Sequence, residues 1–231
     1  MAGTATQSRT SGTRRQPQRL TDMGPGLTAA FVREALHRAI HGIGPLQPAA
    51  VAAAKQLREQ KGDVDRAIHG LIENHVRYAG AQGFLTNLGG LITMAVAVPT
   101  NISGLALLEC RMIAGIAHLR GYDLDDPRVR NGVLVCLLGE QTIHELVAAQ
   151  KIPAPPMALA TAPAHDPTLE RVISAEVAAD LVQKVAGKRL AGSAARRIPL
   201  VGGLVGMGAD GYATWKTGRY ADRELLPLAR R

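Results

Sequence analysis

Four side chains at helical spacing are the residues of this sequence best suited to holding a metal ion. His37 and His41 lie one turn apart on a predicted helix, and Glu140 and His144 repeat that spacing on another. They supply nitrogen and oxygen ligands only if the two helices meet. The sequence has no H-E-x-x-H motif and no paired E-x-x-H motif, and most helical histidines are exposed or hydrogen-bonded instead. We therefore predict no metal and no cofactor, and keep a metal centre as the minor alternative.

The second chemical signal is a glycine pattern near the end of the chain. Residues 206–211, GMGADG, match the dinucleotide-binding spacing G-x-G-x-x-G. A Rossmann unit needs a following helix and a second strand with an acidic residue about 20 positions on, and too little chain remains for both. Gly202 and Gly206 are better explained as a close helix contact. The absence of a phosphate loop and of a G-x-S-x-G elbow disfavours standard NTPases and hydrolases.

Charged and polar residues within apolar segments form a third candidate group. These possible polar-site residues are Glu109, Arg111, His118 and Asp210. Because buried charges generally have partners, we expect them to bond to neighbouring helices such as the one that carries Asp65 and Glu73. A functional polar site is the alternative. His75 lies on the apolar stripe of that same helix, where a hydrogen-bonded core histidine is expected.

Net charge and composition restrict the partners. The 231-residue chain carries a formal charge of +8, which attracts nucleic acid or an anionic membrane surface. Aromatic residues are only 3% and lie without a basic stripe around them, so nucleic acid is disfavoured. The residues predicted to contact an anionic surface are Lys184, Lys188, Arg189, Arg196 and Arg197. Two cysteines, Cys110 and Cys136, lie in apolar stretches, which predicts buried thiols and a reducing, cytoplasmic environment.

Abundant glycine, alanine and leucine with few aromatics predict an all-α fold, a single helical domain of about eight to ten helices. Residues 1–25 are predicted to be a disordered basic tail, followed by the helical domain over 26–231. Within it the proline-rich residues 152–168 are expected to be an extended surface linker. Capping residues and breakers predict helices over 28–43, 48–62, from 63 onward, 127–151, 168–195 and 219–228. Gly121 is predicted to cap the end of the helix that precedes Asp126-Pro127, this dipeptide to start the next helix, and Thr168 to cap the start of the helix after the proline-rich residues.

Two glycine-rich apolar segments interrupt this pattern. Residues 78–108 contain no charged residue, and Pro99 divides them into two halves that predict a helical hairpin. Each half is shorter than the ~20 apolar residues that a membrane-spanning helix needs. The second segment is IPLVGGLVGMGA at 198–209. The residues predicted to contact a helix or a membrane are Gly89, Gly90, Pro99, Gly202, Gly203 and Gly206.

These segments resemble the EcsC family. The matching features are Gly83-Phe84-Leu85, Gly89-Gly90, Pro99, the helix from Arg111-Met112-Ile113 to Ala117-His118, Gly121-Tyr122-Asp123, and Ile198-Pro199 with Gly202 and Gly206. The resemblance covers roughly residues 60 to 225. It implies a bacterial helical protein, from a family named after a gene neighbour of ABC transporter subunits. It implies no defined molecular activity and no catalytic residues.

The leading functional hypothesis is a non-enzymatic protein at the inner face of the membrane. Its glycine-rich segments would enter the interface or pack on an integral membrane partner such as a transporter, while basic residues face anionic headgroups. One alternative is a soluble helical bundle whose glycine-rich segments form the core. A second is an enzyme or metal protein in which Glu109, His118, Glu140 and His144 converge around a cavity.

Overall fold

A computed structural model describes residues 25–44, 46–87, 104–195 and 199–228. Within these ranges the chain forms nine helices and no strand, which confirms the all-α prediction. The helices are α1 (Pro25–His41), α2 (Ala49–Glu59), α3 (Val64–Asn87), α4 (Gly104–Leu119), α5 (Pro127–Leu138), α6 (Glu140–Ala148), α7 (Pro156–Ala160), α8 (Pro167–Ala195) and α9 (Pro199–Glu224). The predicted tail and the Pro99 turn lie outside the described residues.

An Asp-Pro dipeptide starts both α5 and α8. The Asp126 carboxylate accepts a hydrogen bond from the Arg128 amide at 2.8 Å, and the Asp166 carboxylate accepts one from the Thr168 amide at 2.7 Å. Proline follows each aspartate as the first helical residue. Its missing N–H costs nothing there, because the N–H of the first helical residue has no partner within the helix. The predicted start at Asp126 is confirmed. The predicted cap at Thr168 is wrong, because Asp166 takes that role two residues earlier.

Glycine at positive φ sets two boundaries after α4 and α5. Gly121 (φ +91°) ends the turn that follows α4, as predicted, and the Tyr122 amide donates to the Ala117 carbonyl at 3.0 Å. Gly139 (φ +82°) separates α5 from α6. The single helix predicted over 127–151 is therefore wrong. Because an L side chain rarely adopts this φ, the break depends on glycine at position 139.

The proline-rich residues 152–168 differ from the extended surface linker expected there. They contain α7 and bury Ile152 and Leu159 in the core. The absence of a side chain at Gly132 of α5 permits this packing, since a β-carbon there would lie 3.0 Å from both Ala160 Cβ and the Pro156 carbonyl. The prolines therefore shape a compact connection, in which α7 packs against α5.

Helix α9 runs without interruption from the second glycine-rich segment to Glu224. The separate last helix predicted over 219–228 is therefore wrong. Helix α9 packs antiparallel to α3, and glycines lie at the contact. Gly211 faces Val76, and Gly218 faces Ile72. Beyond Gly218, Arg219 Nη1 lies 3.1 Å from His69 Nε2.

Helix α4 forms the centre of the core and contacts α1, α2, α3, α5 and α9. Its side chains Met112, Ile113 and Ile116 are fully buried. Cys110 of α4 and Cys136 of α5 are buried free thiols, as predicted. Burial raises the pKa of Cys110 to about 12 and also raises that of Cys136, so both remain protonated at neutral pH.

We expect Gly218→Leu to destabilise the fold by about 1 to 3 kcal/mol through overpacking. A β-carbon at Gly218 would lie 3.0 Å from Ile72 Cγ1 and 3.1 Å from Met112 Cε. Gly208 on the same helix has open space where its β-carbon would be. Gly208→Leu is the matched control, with unchanged or slightly increased stability from the better helix propensity. Chemical denaturation measures both variants, and equal unfolding midpoints would contradict close packing at Gly218.

Candidate functional site

In α3, α4 and α9 the charged residues end near the same level of the helix bundle, and only uncharged residues follow beyond it. Val76 of α3 faces Gly211 of α9, and Thr214 of α9 donates to Glu109 of α4 at 3.4 Å. These contacts bring Arg77 and Asp210 to one level and place Glu109 about one helical turn from it, because α3 runs antiparallel to α9 and α4 runs parallel to it. Beyond that level, residues 78–87 of α3, 104–108 of α4 and 199–209 of α9 contain no charged side chain. We call this part of the molecule the uncharged end.

Exposed aromatic rings mark the same boundary. Tyr78 is 64% exposed, Tyr212 65% and Trp215 47%. The rings of Tyr212 and Trp215 stack with centroids 5.9 Å apart on the outer face of α9. Tyrosine and tryptophan combine an apolar ring with a polar group, which suits them to a boundary between apolar and aqueous surroundings. No prediction from the sequence included these three residues. Their only local signal is the spacing of Tyr212 and Trp215 beside an uncharged segment.

A buried polar layer lies behind the uncharged end. The Glu109 carboxylate is buried and accepts the hydrogen bond from Thr214. The Arg111 guanidinium is also buried and donates to the Gln47 carbonyl, between α1 and α2. Burial lowers the pKa of Arg111. Both side chains therefore bond to neighbouring elements, as predicted, but the elements are α9 and the α1–α2 connection rather than the acidic residues of α3.

The four residues proposed as a polar site do not form one site. Glu109 faces α9, where Asp210 lies half-buried one turn before Thr214. Arg111 faces the opposite side of α4. His118 is exposed at the far end of that helix, beside a cavity of about 440 Å³. The structure therefore separates Arg111 and His118 from Glu109 and Asp210.

His75 is a hydrogen-bonded core residue, as predicted. Its ring is buried, and Nδ1 donates to the Leu71 carbonyl at 2.8 Å. Burial, together with the positive charge of Arg111, lowers the pKa of His75 to about 4, although the hydrogen bond to the Leu71 carbonyl opposes this shift. The imidazole is therefore neutral at physiological pH.

The metal ligands considered from the sequence are not brought together. The rings of His37 and His41 pack against each other with centroids 4.2 Å apart. Glu140 instead forms an ion pair with Arg223 at 2.7 Å, and His144 is exposed. In the part of the chain that the structure describes, no group of three or more His, Cys, Asp or Glu residues is placed to hold a metal. The four residues of the enzyme alternative do not converge around a cavity either, because only His118 of the four lines the 440 Å³ cavity.

The glycine pattern at 206–211 lies inside α9, and no strand precedes it among the described residues, so this part of the chain does not have the dinucleotide-binding geometry. Gly202, Gly203 and Gly206 belong to the same helix, but their surroundings lie outside the described residues. Gly89, Gly90 and Pro99 lie outside them entirely. Their predicted contacts therefore stay predictions.

The basic residues predicted to contact an anionic surface are described only in part. Lys184 is exposed and forms an ion pair with Asp180 at 2.8 Å. Lys188 and Arg189 belong to α8, but their side chains lie outside the described residues. The same holds for Arg196 and Arg197, which directly precede α9 in the sequence.

We expect the low pKa of His75 to make stability depend on pH. Below pH 6.5 the unfolded chain takes up a proton at His75, whereas the folded chain does so only near pH 4. The contribution of neutral His75 to the free energy of unfolding is therefore fully present above pH 6.5 and is lost between pH 6.5 and 4. The loss is roughly 3 kcal/mol if the imidazole of the folded chain stays neutral over this range. His75→Leu is the comparison, because it removes this titration. Urea unfolding from pH 4 to 7 should show a steeper fall for the wild type, and parallel curves would contradict a buried neutral imidazole.

Comparison with family models identifies the family of this chain. Comparison with the curated proteins and with the solved structures gave no match. Among the described helices, none is long and apolar enough to cross a membrane. The model of the EcsC protein family matches residues 16–225. That match covers most of the chain, and the protein therefore belongs to the EcsC family, as its glycine-rich segments predicted.

Proposed function

We propose that this protein binds the surface of anionic membranes peripherally, through its uncharged end. The observation that carries the proposal is that the last charged residues of α3, α4 and α9 lie within about one helical turn of one another, with uncharged residues beyond them. A surface that must meet lipid needs apolar residues beyond a single plane, and aromatic residues close to that plane. Tyr78, Tyr212 and Trp215 are exposed near this level.

Two arginines directly before α9 limit how deeply the uncharged end can enter the membrane. Arg196 and Arg197 directly precede Pro199, the first residue of the helix. Insertion perpendicular to the membrane would carry both arginines towards the middle of the bilayer, which costs several kcal/mol. A shallow, tilted position keeps the guanidiniums among the headgroups while apolar residues of α9 enter the interface. We therefore propose interfacial contact rather than insertion across a leaflet.

Electrostatic attraction supplies the second part of the binding energy. The basic residues that precede α9 in the sequence are Lys184, Lys188, Arg189, Arg196 and Arg197. Each basic residue close to an anionic surface contributes about 1 kcal/mol, and salt weakens that attraction. The formal charge of +8 acts in the same direction. Affinity should therefore depend on anionic lipid and on ionic strength.

Vesicle co-sedimentation tests the proposal. The full chain should bind vesicles containing phosphatidylglycerol, bind pure phosphatidylcholine weakly, and dissociate as salt increases. The Arg196→Gln/Arg197→Gln variant should lose about 30-fold in affinity, corresponding to about 2 kcal/mol.

The matched control is Arg66→Gln/Arg171→Gln, which removes the same charge. Both arginines are exposed. Arg66 lies at the start of α3, beside the C-terminal part of α9 and away from the uncharged end, and Arg171 lies at the start of α8, beside α1. The control should retain nearly all binding. Equal losses in the two variants would show that only net charge matters. No binding to anionic vesicles would favour an integral protein partner or a soluble bundle instead.

A further inference from the structure

The cavity of about 440 Å³ lies at the C-terminal end of α4, away from the uncharged end. It opens between the end of α1, the start of α2 and the turn that joins α4 to α5. Ile40, Pro48 and Leu124 give it an apolar wall, and Asp123 and Asp125 are the carboxylates beside that wall. In the described part of the chain, no lysine or arginine lines it. Its occupant is independent of the proposed membrane contact.

Both carboxylates have one oxygen that is not bonded. Asp123 Oδ1 accepts a hydrogen bond from the Asp125 amide at 2.9 Å. Asp125 Oδ1 accepts one from the Arg130 guanidinium at 3.0 Å, and His41 Nε2 lies 3.6 Å from the same oxygen. Among the described residues, nothing bonds to Oδ2 of either aspartate, and no basic side chain pairs with Asp123. Arg130 balances only one of the two negative charges, so this side of the cavity favours a cation.

The chain that leaves α9 is held at the rim of this cavity. The Tyr122 hydroxyl donates to the Leu226 carbonyl at 2.9 Å, and the Leu228 amide donates to the Arg120 carbonyl at 3.0 Å. Leu228 Cβ also lies 3.9 Å from the position that a β-carbon at Gly121 would take. Gly121 is itself a lining residue. The described residues therefore end beside the cavity.

Residues 229–231, Ala-Arg-Arg, follow Leu228 directly and lie outside the described residues. An extended segment of three residues spans about 10 Å, and an arginine side chain reaches further. Asp123 is only two residues from Gly121 in the chain, so its carboxylate is within this reach. The two arginines therefore match the charge of the cavity and can reach it.

We propose that Arg230 and Arg231 dock in this cavity and that a guanidinium pairs with the carboxylate of Asp123. An arginine side chain has an apolar stem and a cationic end, which matches an apolar wall beside a carboxylate. An exposed ion pair contributes little by itself. Because Leu228 is already held, however, docking restricts only three more residues. The docked arginines join the chain that follows α9 to the turn between α4 and α5.

Order parameters of the backbone amides of residues 229–231, from ¹⁵N relaxation of the full chain, test the proposal. Docked residues should have order parameters above about 0.7, whereas a free segment has values below about 0.6. Asp123→Asn keeps the oxygen that accepts from the Asp125 amide and removes only the charge. In this variant the order parameters should fall below about 0.6. Arg230→Gln/Arg231→Gln is the reciprocal variant, and it should shift the amide resonances of residues 121–125.

Glu73→Gln is the matched control, because it also removes one exposed carboxylate. Glu73 pairs with Arg77 on α3 and does not line the cavity. The control should leave the order parameters of residues 229–231 unchanged. Values below about 0.6 in the wild type would overturn the proposal and leave the cavity to an external ligand. High values that persist in Asp123→Asn, or unshifted resonances of residues 121–125 in the arginine variant, would overturn the pairing with Asp123.

Discussion

The close approach of α3 and α9 is the constraint on which the rest of the structure depends. Gly211 and Gly218 place no side chain between the two helices, so Val76 and Ile72 pack directly against the α9 backbone. Glycine in a helix costs backbone entropy, and only such a close contact compensates for it. The contact fixes the antiparallel register of the pair. That register, together with the position of α4, determines which residues lie at the same height.

The register also explains how buried charges are tolerated in an apolar helix. Glu109 and Arg111 are two residues apart on α4 and therefore point to different sides. Glu109 meets Thr214 of α9, and Arg111 meets the Gln47 carbonyl. Each charge thus has a partner from a separate element, and together they link α4 to both neighbours. The membrane proposal rests on the parts of α3, α4 and α9 beyond this polar layer. There residues 78–87, 104–108 and 199–209 contain no charged side chain.

Local signals in the sequence predicted the features that depend on neighbours in the chain. The Asp126-Pro127 start, the Gly121 turn, the buried cysteines and the core position of His75 follow from capping, backbone preference and periodicity. Long-range packing decided the features that were missed. Residues 206–208 belong to the continuous helix α9, which packs along α3, and residues 152–168 are compact because Gly132 leaves room for α7. The height shared by Arg77 and Asp210 exists only after the helices are paired.

The most direct test of the account uses the fluorescence of Trp215, the single tryptophan of the chain. Its ring is half-exposed on α9, close to the boundary of the uncharged end. On anionic vesicles its emission should shift to shorter wavelength, and lipids brominated near the headgroup should quench it more strongly than lipids brominated near the chain ends. An unchanged spectrum without quenching, on vesicles that hold the protein, would show that this end does not face the membrane.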